Sequence, residues 1–264
     1  MNATKAGIGA VTAVTAVVGG FALLGAGSHA VTVSLGQLAG SAETAYAGAS
    51  GITDIDVDVS AVDLSIEFYD GDRVVLESNA GGDAPLRMRV DENELKVTST
   101  NRIFDWFGPD WLRKDVRATL KLPESLRGVD ADLTLQAGAL RADGEFGELD
   151  ATVNAGRLTL SGSATSLDAE VNAGQADITM ADVRTSELTV AAGRLIAELT
   201  SVPSEVSVDV SAGELRLTLP NDTYDLRSRR SAGTLNSDLS ESRTSQNRVD
   251  VQVSAGTVTL RAAR

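Results

Sequence analysis

Seven Ala-Gly pairs punctuate the second half of the chain, at Ala137-Gly138, Ala155-Gly156, Ala173-Gly174, Ala192-Gly193, Ala212-Gly213, Ala232-Gly233 and Ala255-Gly256. Their successive spacings are 18, 18, 19, 20, 20 and 23 residues. A period in this range is the signature of stacked repeats. One such unit cannot bury its apolar face alone, and buries it against copies of itself. No other feature of the sequence restricts the fold so strongly.

Aligned on the glycine, the positions seven, five, three and one before it are Leu149, Ala151, Val153 and Ala155 in one coil, and Val249, Val251, Val253 and Ala255 in another. After the glycine the apolar positions are two and four on, as in Leu158 and Leu160 or Val258 and Leu260. Alternation at period two marks a strand with one buried face. The inward parity slips by one residue at the glycine, so the chain must bend or bulge there. Glycine suits that corner because it reaches positive φ without a Cβ clash. On this reading Gly156→Val costs about 1–3 kcal/mol. The alanines are expected to form a row of small side chains inside the corner. The residues two before each glycine are Gln136, Asn154, Asn172, Ala191, Ser211, Ser231 and Ser254. Short polar groups there are expected to satisfy the corner backbone.

Each coil is then strand, glycine corner, strand and a polar return such as 161–166. The fold class is all-β, a β-helix-like β-solenoid of 18–23-residue coils over 51–264. A meander of hairpins would not hold the coil length so constant. Two places depart from the rule. Val62 stands where later coils carry glycine, just after the alternating strand Ile55–Ala61. In the Gly233 coil, Ser228 and Arg230 fall on inward positions, Ser237 replaces an aliphatic residue, and a long polar segment follows. That coil is read as a frayed one near an end of the array, the alternative being that its charges face a groove.

Ahead of the array, residues Ala6 to Ser28 carry no charge and follow Lys5. As a helix they would reach about 35 Å, enough to cross a bilayer core of roughly 30 Å. Residues 1–28 are therefore expected to be an N-terminal transmembrane helix that anchors the chain in the membrane. A signal peptide cleaved after Ala30 or Ala47 is the competing reading. The body lies outside the cytoplasm either way. The Ala-, Gly- and Ser-rich stretch 29–50 reads as a tether, with one short strand near Val31–Leu35. Further strands are expected at Arg73–Glu77, Leu86–Val90, Leu95–Thr98 and Val116–Leu122, with a turn at 91–94.

One stretch, 101–114, holds both tryptophans and two of the five phenylalanines of a chain that is 4% aromatic. Gly108-Pro109 prevents a regular element from running through it. It is either a hydrophobic plug on the open end of the solenoid or a contact with lipid headgroups or a partner. The contact residues would be Phe104, Trp106, Phe107, Trp111, Arg113 and Lys114.

Composition narrows the chemistry. There is no cysteine, and the only histidine is His29, so the body holds neither a histidine-based triad nor an imidazole or thiolate for zinc. A net charge of −14 argues against a nucleic-acid backbone as partner. No cofactor is expected. Calcium on Asp54, Asp56 and Asp58 is conceivable by residue type, but alternate positions on one strand lack a loop that wraps the ion.

The repeated V-[NS]-A-G-x-L-x-L pattern resembles the bacterial "putative adhesin" family of cell-envelope domains of unknown function. Ile55–Ala61, Leu122-Pro123-Glu124 and Gly147-Glu148-Leu149-Asp150 add to the likeness, which covers roughly residues 44 to 264. The resemblance implies a β-solenoid displayed at the cell envelope, with roles in adhesion or envelope-stress signalling and no catalytic motif. The leading expectation is a non-enzymatic, membrane-tethered surface domain that binds an envelope protein or cell-wall polymer. One alternative is a polysaccharide-active enzyme using Asp150, Asp168 and Glu170, which needs carboxylates facing each other across a groove. Another is the ectodomain of an envelope-stress sensor.

Overall fold

The computed structural model describes residues 31–33, 43–79, 86–99 and 116–264. The expected anchor over 1–28 and the aromatic stretch 101–114 lie outside the described residues.

The chain enters through β1 (Val31–Val33) and β2 (Glu43–Gly48), both inside the stretch expected to act as a tether. Part of that stretch is thus built into the sheet. There follow β3 (Asp54–Tyr69), β4 (Arg73–Ser78), β5 (Leu86–Asp91), β6 (Glu94–Ser99) and β7 (Arg117–Pro123). The first complete coil is β3. β6 and β7 lie parallel on its two arms, Asp54–Asp58 against Glu94–Thr98 and Asp63–Tyr69 against Arg117–Pro123. Beyond them the pairing turns antiparallel. β5 pairs β6 and β1 pairs β5 on one arm, while β4 pairs β7 and β2 pairs β4 on the other. The turn at Glu92 between β5 and β6, at φ 54°, is the one expected over 91–94.

The regular stack follows as β8 (Asp130–Glu145), β9 (Glu148–Ser163), β10 (Ser166–Ala181) and β11 (Thr185–Leu199). Each is one bent strand spanning both arms and the corner. Neighbours are parallel and in register on both arms, so Val153 meets Val171 and Leu158 meets Ala176. This is a parallel β-solenoid whose identical positions fall into ladders. Its core is those ladders: Leu149, Val153, Leu158 and Leu160 of one coil are at most 1% exposed. Burying each such side chain contributes roughly 1.5–3 kcal/mol.

The corner differs from the expectation in one respect. The inward positions are Val153 and Leu158, and the four residues between them face outward or along the stack. Ala155, Ala173, Ala192, Ala212, Ala232 and Ala255 are exposed, not lodged inside the corner. At the corner the glycines of neighbouring coils stack backbone on backbone. A Cβ on Gly156 would stand 2.2 Å from the Gly138 carbonyl oxygen of the preceding coil, and one on Gly174 2.7 Å from that of Gly156. Gly156 also sits at φ 112°. Sterics between coils, more than positive φ, make the ladder a glycine ladder, since Gly174, Gly213, Gly233 and Gly256 lie outside the left-handed region yet meet the same clash. Val62 is consistent with this. It pairs with Gly138 at the first corner, where its side chain turns inward and is 2% exposed, while Ala61 takes up the irregularity at φ 57°.

The return between coils is not wholly polar. Phe146, Ala164 and Val183 occupy equivalent places in successive returns and are buried, so each closes the third side of its coil with one apolar residue.

In the last third the corner is broken and each arm becomes its own strand: β12 (Glu205–Val210), β13 (Glu214–Leu219), β14 (Thr223–Arg230), β15 (Thr234–Ser237), β16 (Ser240–Glu241), β17 (Arg248–Val253) and β18 (Thr257–Ala262). Spatial order here departs from sequence order. β17 pairs with β12 on one side and β14 on the other, and β18 lies between β13 and β15. The coil of residues 248–262 is therefore inserted beneath the coil of residues 223–237, and the irregular Gly233 coil ends the stack.

Candidate functional site

Of the residues singled out as contacts, Phe104, Trp106, Phe107, Trp111, Arg113 and Lys114 all lie outside the described residues. The attachment points of their stretch are clear. The backbone N–H of Ser60 donates to Ser99 Oγ at 2.8 Å, and that of Asp63 donates to the Val116 carbonyl at 2.9 Å. Ser99 and Val116 therefore flank the first corner, at the opposite end of the stack from the Gly233 coil.

Between the two ends runs a feature the sequence reading did not isolate. Six residues before each corner stand Asp56, Asp132, Asp150, Asp168 and Glu187, in register on five successive parallel strands. Side chains at paired positions on adjacent strands share one face, here the outward one, at a rung spacing of about 4.8 Å. The result is a column of like charges along the solenoid. Asp54, Asp130 and Glu148 line a shallow depression of ≈ 340 Å³ beside it. The signal was present in the glycine alignment as an acidic residue at a constant offset.

A single cation meets the column among the described residues: Lys96 Nζ lies 3.3 Å from Asp56 and 2.7 Å from Glu94. Farther along, the carboxylates push on one another. Partial desolvation, then the charges of Asp56, Asp150 and Asp58, raise the Asp132 carboxyl above the usual range. Asp168 is raised by the same desolvation first, and then by Glu187, Asp150, Glu170 and Glu148. Like charges one rung apart disfavour the ionised form.

Asp150 and Asp168 are thus side by side on one face. A glycosidase pair instead flanks the scissile bond from two sides. Asp54, Asp56 and Asp58 share the outward face of β3, where Lys96 holds Asp56 and the Gln136 amide donates to Asp58 at 3.2 Å.

That last bond starts a second ladder, of amides two residues before the corner. Asn154 Nδ2 donates to Gln136 Oε1 at 3.0 Å, and Asn172 Nδ2 donates to Asn154 Oδ1 at 3.1 Å. The polar series was expected to serve the corner backbone; in these coils it bonds to itself instead. Parallel register places identical amides one rung apart, within mutual reach. Ala191 has no amide and ends the run.

The sequence model of one domain family, described as Toastrack DUF4097, matches residues 52–262. No curated protein matches the chain. Among solved structures, a "putative cell adhesion protein" from Clostridium sporogenes aligns at 10% identity and TM-score 0.40, over 84% of this chain and 99% of that one. A "putative adhesin" from Parabacteroides merdae aligns at 11% identity and TM-score 0.36, over 84% and 97%. A "putative adhesin" from Bacteroides fragilis aligns at 13% identity and TM-score 0.30, over 86% and 99%.

Proposed function

The chain belongs to the Toastrack DUF4097 family, and from that premise we propose that it is a non-enzymatic, membrane-tethered surface domain whose solenoid binds an envelope protein or cell-wall polymer. The observation that carries this reading is the in-register acidic column of Asp56, Asp132, Asp150, Asp168 and Glu187. A catalytic centre brings unlike groups together around one reacting bond. A column instead repeats one chemistry at a fixed rung spacing, and extended repeat surfaces of this kind serve binding. Its carboxylates lie outward, along the length of a rigid core, where a long partner can lie against several coils at once. The uncharged segment within 1–28 supplies the anchor, which would hold this face at the outer surface of a membrane.

Retention of isolated envelope fractions on the immobilised chain tests the reading. Cell-wall or membrane-protein material should be retained by the wild-type chain and shed by the Asp150→Asn/Asp168→Asn variant. Equal retention by the two, with the variant folded as the wild type is, would remove the column from the interaction.

A further inference from the structure

At the far end of the stack the inward positions change character. One rung below, β17 points Val249, Val251 and Val253 inward, each at most 3% exposed. The register partners of these residues on β14 are Leu226, Ser228 and Arg230. On the other arm, Leu260 of β18 pairs with Ser237 of β15. Ser228, Arg230 and Ser237 are exposed, and with Leu226, Leu235 and Arg243 they line an open groove of ≈ 510 Å³.

A terminal coil needs a polar outer face and a blunted edge, and inward-pointing charge supplies both. That need does not fix the sign of the charge. In a chain of net charge −14, carboxylates are the commoner choice. The groove nevertheless carries Arg227, Arg230 and Arg243 against the single carboxylate of Glu241. Arg227 is occupied, its Nε and Nη2 donating to Asp225 Oδ2 at 3.1 and 2.7 Å. Arg230 and Arg243 form no ion pair among the described residues. Two uncommitted guanidinium groups, two serine hydroxyls and a half-buried leucine floor make a donor-rich cup with no acceptor to match its excess of donors.

Resting on the reading of the array as a surface binding module, we propose that this end groove binds phosphate-bearing anions through Arg230 and Arg243. A guanidinium presents a planar fork of N–H donors that matches a pair of phosphate oxygens, and two such forks with nearby hydroxyls suit an oxyanion with several oxygens. The leucine floor lowers the local dielectric and strengthens those bonds. The phosphate could belong to a soluble phosphate polymer or to a lipid headgroup, and the chemistry at the two arginines is the same for both.

The test is calorimetric titration of the full chain, held in a non-ionic detergent, with sodium tripolyphosphate at low salt. Saturable binding is expected, weakening as salt is added. The Arg230→Gln/Arg243→Gln variant should bind at least roughly tenfold more weakly, as loss of charge-assisted hydrogen bonds implies. Arg261→Gln removes the charge of an exposed arginine on β18, outside the groove, and should bind like wild type. No binding by the wild-type chain, or an equal loss in Arg261→Gln, would overturn the site. Displacement of tripolyphosphate by monomeric dihexanoyl phosphatidylglycerol would assign the phosphate to a lipid headgroup, and failure to displace it would assign it to a soluble phosphate chain. A chain that retains envelope material but does not bind tripolyphosphate sinks the groove and spares the binding-module reading. The reverse result spares the groove alone.

Discussion

The coils between Asp130 and Leu199 and the coil between Thr223 and Ser237 are built on one template, with the glycine at the same place. They differ in what stands on the inward positions. The inner coils carry Leu149, Val153, Leu158 and their equivalents there, covered on both sides by neighbours. The end coil has a neighbour on one side only, and Ser228, Arg230 and Ser237 take those positions. Leu226 and Leu235 stay apolar and half-buried on that coil, so one uncovered side admits polar residues at inward positions without demanding them at every one.

Three experiments can break or sharpen this contrast, taken here from the largest expected effect down. Gly156→Val places a Cβ 2.2 Å from the Gly138 carbonyl, on a residue at φ 112°. Overpacking and backbone strain of about 1–3 kcal/mol each give a loss of about 4 kcal/mol in urea-induced unfolding. That is more than the corner conformation alone implies. Gly233→Val in the end coil meets the Val253 side chain at 2.2 Å and the Gly256 carbonyl at 2.8 Å, but lies outside the left-handed region and has a neighbour on one side only, so it should cost about 2 kcal/mol. Similar losses at the two sites would mean the stack constrains its end as tightly as its middle.

Truncation inside the core comes next. Leu158→Ala, at a residue 1% exposed, should cost about 3 kcal/mol, and Leu235→Ala on the half-buried end rung about 1 kcal/mol. Thermal melts of the two variants against wild type check this, and a reversed order would place the more critical packing at the groove.

The smallest effect is electrostatic and belongs to the inner coils alone. The carboxyl of Asp168 is raised in the folded chain above its ordinary 3.8, by desolvation first and then by the neighbouring carboxylates. The folded state thus holds that proton more firmly than the unfolded one. Stability from this group is gained as pH falls from above the raised value toward 3.8, and is missing at neutral pH. Asp168→Asn should therefore melt slightly higher than wild type at pH 7, by under about 1 kcal/mol given its exposure. The advantage should shrink as the pH is lowered toward 4. An advantage that persists unchanged at pH 4 would mean repulsion along the column is not its source.

Much of the fold was legible because the glycine sets both the period and the change of parity. The coils and the place of Val62 as the first corner follow from alternation counted outward from that residue, and the β5–β6 hairpin from its own alternation and the polar turn at 91–94. The alanines were misplaced because a count of parity does not reveal that four residues, not two, separate the last inward valine from the next inward leucine. The insertion of residues 248–262 was hidden for a different reason. Coils with interchangeable aliphatic ladders stack equally well in more than one order, so periodicity says that they stack and not which lies on which. The indication lay in Ser228, Arg230 and Ser237, since polar inward positions mark a coil with one uncovered side. The acidic column was readable as a constant offset from the glycine. The groove was visible only as an irregularity, because its walls come from Arg230 and Arg243 on segments that the topology brings together at the end of the stack.

The inserted coil also sets an order of assembly. An array whose spatial order followed the chain could zip up as it emerged, each coil laid on the one before. Here the coil of residues 223–237 emerges with no platform, and must wait until residues 248–262 have docked on β12 and β13 and offered their other side. The groove and its arginines are therefore completed by residues that do not line it. Loss of the segment beyond Asn247 would remove two interfaces and not one outer layer. It is set before the coil of residues 223–237 and holds what lies on both sides of it.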